Sequence, residues 1–104
     1  MAGSQDFAAD PRNATARIWL NGDLVTRENA RVSVFDAGFV VGDGVWEGLR
    51  LHRGRLMFLD AHLDRLYAGA AAINLDIGMS RLALVDALDQ LLEANGMEDG
   101  VHLR

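Results

Sequence analysis

Arg65 is the residue whose type and setting most invite chemistry, because it lies one helical turn after His62, near the start of the same expected helix. A guanidinium near a helix start offers a fork of donors close to the positive end of the macrodipole, which makes a natural anion site. The competing reading is a solvated arginine paired with Asp64 or Asp60, a contact worth little. Asp43 and Glu47 stand four apart, and on a helical turn they would share a face as a carboxylate pair fit for acid–base work. Against this stands a structural role, with Asp43 capping the next turn and Glu47 accepting from backbone amides. His52, His62 and His102 show no H-E-x-x-H spacing, and the alternation Asp60, His62, Asp64 turns the histidine away from the acids on a helix, so no metal centre is expected. Gly42-x-Gly44-x-x-x-Gly48 fails the dinucleotide fingerprint, whose sixth position falls on Glu47, and reads as a glycine-rich turn.

Composition narrows the field further. The chain has 104 residues, half of them apolar, which suits one domain with a core and no staples. It has no cysteine, hence no disulfide framework and no thiolate nucleophile. All ten basic residues are arginines, and a chain without lysine can neither form a side-chain Schiff base nor complete a phosphate loop ending in G-K-[ST]. A net charge of -5 argues against nucleic acid as a partner. Residues 1–16 lack the basic start and apolar run of a secretory signal and read as a disordered tail. Nowhere is there an apolar stretch long enough for a membrane span, and a cytoplasmic location is expected.

These residues must be held by a modest set of elements. Asn21-Gly22 between Ile18-Trp19-Leu20 and Leu24-Val25 predicts a hairpin over 17–26. The run 31–35 alternates and reads as a short strand or extended segment, followed by three glycines within 38–44. A second hairpin is expected over 45–58, turning at Arg53-Gly54. Leu63, Leu66, Ala70 and Ile73 mark a helix over 60–73 with Asp60 as its cap, and Gly69 inside it implies close packing. Ser80 should cap a second helix, with Leu84, Leu88, Leu91 and Leu92 on one face and a stop at Asn95-Gly96. Val101 to Arg104 opens a returning strand, and a strand that stops so early implies a chain broken off inside an element. The fold class is α+β, with antiparallel hairpins and two helices.

Three ordered motifs carry a family resemblance. Ile18-Trp19-Leu20-Asn21-Gly22, Phe35-Asp36-Ala37-Gly38-Phe39 running into Gly42-Asp43-Gly44-Val45-Trp46-Glu47-Gly48, and Phe58-Leu59-Asp60-Ala61-His62-Leu63-Asp64-Arg65-Leu66 resemble the N-terminal domain of the class IV pyridoxal-phosphate aminotransferases. That group includes branched-chain aminotransferases, D-amino-acid transaminases, (R)-amine transaminases and aminodeoxychorismate lyase. The likeness covers residues 17–104, and it implies a small domain beside a larger, missing C-terminal domain that supplies the Schiff-base lysine. It also implies pyridoxal 5'-phosphate as cofactor, an amino acid and a 2-oxo acid as substrates, and a homodimer.

Carried over position by position, Arg65 matches the arginine that grips the cofactor phosphate, for which a bidentate guanidinium is well suited. Phe39 and Val41 fall where D-amino-acid and branched-chain enzymes, respectively, carry tyrosines, so both hydroxyl contacts are lost. Trp46 matches a pocket aromatic of the branched-chain enzymes, and a buried core tryptophan is the alternative. His102 and Arg104 match a tyrosine and an arginine on the branched-chain pocket strand. The function expected is thus part of an aminotransferase, anchoring the cofactor phosphate and lining the substrate pocket; no residue of this stretch is expected to be catalytic. The rival is a non-catalytic α+β module that self-associates.

Overall fold

The computed structural model describes residues 10–104. Strand β1 (Arg17–Leu20) turns through Asn21 and Gly22, both at positive φ, into β2 (Asp23–Thr26), the hairpin that Asn-Gly dictates. Residues 31–35, read as a strand or extended segment, make no strand; Ser33 instead accepts from the amides of Phe35 and Asp36 and bends the chain. With no neighbouring strand to pair with, alternation alone does not hold a segment extended. There follows a third, unforeseen helix, the single turn α1 (Ala37–Val40), capped by the Asp36 carboxylate on the Gly38 amide.

The second hairpin is real but short, with β3 (Leu49–His52) and β4 (Arg55–Leu56). β5 (Val101–Leu103) returns antiparallel to β3 and places Leu49 opposite Leu103, giving the order β4-β3-β5. Period-two alternation then sorts the residues: Leu49, Leu51 and Leu103 are buried, while Arg50, His52, His102 and Arg104 face outward.

Helix α2 (Leu59–Ala72) begins one residue before expectation, and Asp60 is not its cap. Phe58, in the left-handed conformation, ends the hairpin and enters the helix directly, so Asp60 falls in the first turn. Leu63 and Ala70 are buried as the stripe requires, whereas Ile73 sits past the end of the helix and is exposed. Gly69 meets Val45 at ordinary contact distance. α3 (Arg81–Asn95) is capped by Ser80 on the Ala83 amide and closed by Gly96, and its Leu88 joins Leu49 and Leu103 in the core.

Within the expected disordered tail, Pro11–Thr15 form a 3₁₀ turn, and Arg12 donates to the carbonyls of Asp99 and Gly100 just before β5. Residues 1–9 of that tail lie outside the described residues. The Asn95 side chain both accepts from and donates to the backbone of Arg17, which ties α3 to β1. The architecture is α+β, and among the described residues no helix is long and apolar enough to cross a membrane.

Candidate functional site

The extended stretch before β3 and the first turns of α2 meet at one carboxylate. Glu47 Oε2 accepts from Arg65 Nε at 2.8 Å, and Oε1 accepts from Arg65 Nη2 at 2.7 Å. The His62 Nδ1–H donates to the same Oε1 at 2.6 Å. The spacing of His62 and Arg65 puts both on one side of α2, which is why one acid reaches both. Arg65 does not pair with Asp64 or Asp60: Asp64 takes Arg81 of α3 instead. Residues 42–48 are not helical, so Asp43 and Glu47 do not share a helix face. Glu47 bonds side chains rather than backbone amides, and its carboxyl group is held down to about 2 from the ordinary 4.5, first by the Arg65 hydrogen bonds and then by that of His62. The ionised carboxylate accepts only, which fixes the His62 proton on Nδ1.

Burial divides this triad. The Glu47 side chain is 8% exposed and that of Arg65 is 73% exposed, so the acid is an anchor and the guanidinium a surface group. Its engagement with Glu47 raises the Arg65 pKa further and leaves the Nη1 side uncommitted within the triad. Such a free bidentate edge is suited to a tetrahedral or planar anion.

On the other side of Glu47, Trp46 is 63% exposed, which removes the buried-core alternative for that ring. Arg104 lies with its guanidinium carbon 4.5 Å from the centre of the Trp46 ring, a cation–π pair. Gly48 lets the backbone come close to His102: a Cβ there would stand 2.7 Å from the imidazole Nε2. Trp46, His102 and Arg104 therefore gather at one end of the β3–β5 pair, and Trp46, Glu47 and Arg104 border a cavity of about 380 Å³ with Trp19, Leu63 and Leu88. Phe39 and Val41, on α1 and just after it, are exposed, while their neighbours Gly38 and Gly42 border a smaller cavity with Trp46 and Arg104. Among the described residues no group of three or more His, Asp or Glu could hold a metal ion.

Sequence reasoning missed the hub role of Glu47 and the close approach of Gly48 to His102. Two potential donors a turn apart on α2, together with one acid in a glycine-rich motif, were the signal for Glu47. Nothing local marked which acid would be used.

A small α+β domain carrying an arginine–carboxylate knot beside an aromatic and basic pocket is the arrangement in which a family can be assigned. The chain belongs to the class IV amino-transferase family, whose model matches residues 44–104. A branched-chain-amino-acid aminotransferase-like protein of Arabidopsis thaliana is 42% identical over 94 residues, which is 90% of this chain and 17% of the plant protein. A D-alanine aminotransferase of Listeria monocytogenes is 40% identical over 84 residues, 81% of this chain and 29% of that enzyme. Among solved structures, the branched-chain aminotransferase of Thermoproteus uzoniensis, with norvaline, superposes with a TM-score of 0.74 at 31% identity, over 82% of this chain and 30% of the other. A second branched-chain amino acid aminotransferase, complexed with N-(5'-phosphopyridoxyl)-L-glutamate, gives 0.74 at 27% identity, over 81% and 30%. The chain thus spans less than a third of the length of each of these relatives.

Proposed function

We propose that this chain is the small domain of a pyridoxal-phosphate-dependent aminotransferase that moves an amino group between an amino acid and a 2-oxo acid. The observation that carries the reading is Arg65, oriented by Glu47 and exposed with one donor edge uncommitted within the triad. A dianionic phosphate fits that donor set, and the solved neighbour complexed with a phosphopyridoxyl amino acid supports it. When bound, the cofactor supplies the electron sink for proton movement at the amino-bearing carbon. This chain has no lysine to hold the cofactor covalently, so the lysine comes from the missing larger C-terminal domain.

Arg65 grips the phosphate. Arg104 offers donors to a substrate carboxylate and Trp46 gives the pocket an apolar wall, with His102 packed beside them against Gly48. Phe39 and Val41 form a second, wholly apolar edge without hydroxyl contacts. Together with Val32, Val34, Phe35 and Val40 they make residues 32–41 rich in exposed apolar side chains, which on this reading the larger domain and a second copy in a homodimer cover. The reading includes a cytoplasmic enzyme.

The test is to incubate the full-length protein with pyridoxal 5'-phosphate, a panel of L- and D-amino acids and a 2-oxo acid. Amino transfer is expected. Release of pyruvate from aminodeoxychorismate with no transfer would move the protein to the lyase branch. Cofactor-loaded protein inert on every pair would leave the self-associating module.

A further inference from the structure

We propose that Glu47 is a positioning residue, which fixes the plane of the Arg65 guanidinium so that its Nη1/Nη2 edge faces the anion. The proposal rests on the phosphate reading given above. An arginine side chain carries five N–H donors in a planar fork. Glu47 engages the Nε–H and one Nη2–H, at 2.8 Å and 2.7 Å. Two Nη1–H groups and the second Nη2–H remain, and they form the edge that matches two oxygens of a phosphate.

The carboxylate that holds the fork is itself held. His62 donates to Oε1 from the same helix, so a rotation of the Glu47 carboxylate that released Arg65 would break the second bond as well. The anchor is on the stretch leading into β3 and the arginine is on α2, so the orientation is set across two elements that the core already fixes. Asp64, the acid next to Arg65 in the chain, is engaged by Arg81. Burial runs in the direction positioning requires, with the acid shielded and the donor edge in the open.

A structural ion pair would need only nearness. Positioning needs the side-on fork that leaves the far edge uncommitted, and this is the geometry found. The opposing effect is that Glu47 also neutralises Arg65 and repels an anion. At ~0.5 M salt the Debye length falls to roughly 4 Å, which weakens the part of that repulsion acting through solvent, while the orientation persists.

The experiment measures, in ~0.5 M salt, how much more tightly the cofactor-free full-length protein binds pyridoxal 5'-phosphate than pyridoxal, which lacks the phosphate. Wild type, Arg65→Ala, Glu47→Gln, Glu47→Ala and the Glu47→Gln/Arg65→Ala double variant are compared. Freeing one rotamer-rich side chain should cost roughly threefold to tenfold of that preference in each Glu47 variant. In the double variant the loss should not exceed that of Arg65→Ala alone. If Glu47→Ala does not fold, the isosteric Glu47→Gln carries the test. A lost preference in Arg65→Ala with an undiminished or increased preference in Glu47→Gln overturns positioning and leaves the phosphate reading intact. Additive losses in the double variant overturn it too, because Glu47 would then act elsewhere. An Arg65→Ala protein that keeps the full preference overturns both.

Discussion

Two regions of this domain are almost equally apolar in sequence and opposite in fate. Around β3, β5 and α3, Leu49, Leu88 and Leu103 are buried against one another, and Leu51 of β3 is buried as well. Between residues 31 and 46, Val32, Val34, Phe35, Phe39, Val40, Val41 and Trp46 are all exposed, on backbone with one short helical turn and no strand. The difference shows that hydropathy alone does not decide burial: only the apolar residues that paired strands and helices bring together are covered within this chain. The first region holds the fold and fixes the platform. The second is a surface, and the site lies at its boundary, where Trp46 is open and the next residue, Glu47, is shielded.

The sharpest way to break this contrast is truncation on each side of it. Leu51→Ala, at a position 2% exposed, should cost about 2–5 kcal/mol in urea unfolding of the chain. A cost under ~1 kcal/mol would show that the sheet is not the platform claimed.

A second effect, confined to acid, sharpens the boundary. The folded-state pKa of Glu47 lies below its ordinary value, so the ionised, hydrogen-bonded form favours folding. That contribution is complete above the ordinary value of 4.5 and is lost as pH falls towards about 2. Glu47→Gln should therefore flatten the acid limb of a stability–pH curve. Parallel curves for the two proteins would contradict it.

Phe39→Ser should give the smallest change, within roughly 0.5 kcal/mol in the chain alone, because the side chain it removes is already in water. Apolar dye binding by the chain should fall at the same time. A large loss of stability would mean that the exposed region packs after all.

What the sequence made legible was local. Asn21-Gly22, Ser80 and Gly96 each act within a few residues, and the hairpin and both limits of α3 follow from them. Asp60 has the chemistry of a cap without the position of one, because the left-handed Phe58 starts α2 early, a choice set by the hairpin before it. Trp46 is ambiguous in sequence because hydropathy does not distinguish a pocket wall from a core. The fork of Arg65 on Glu47 spans 18 residues and joins a coil to a helix, so no periodicity reports it. Arg65 itself is found through its motif, while its orientation needs the fold.

The central claim is that Arg65 holds the phosphate of the cofactor, and titration of cofactor-free full-length protein with pyridoxal 5'-phosphate tests it most directly. In Arg65→Ala the loss of a charge-assisted contact of about 1.5–3 kcal/mol should weaken the dissociation constant roughly 10- to 150-fold. Turnover at saturating cofactor should change far less, since a phosphate remote from the reacting carbon is bound alike in ground and transition states. Wild-type affinity in Arg65→Ala would contradict the claim, and so would unchanged affinity with collapsed turnover.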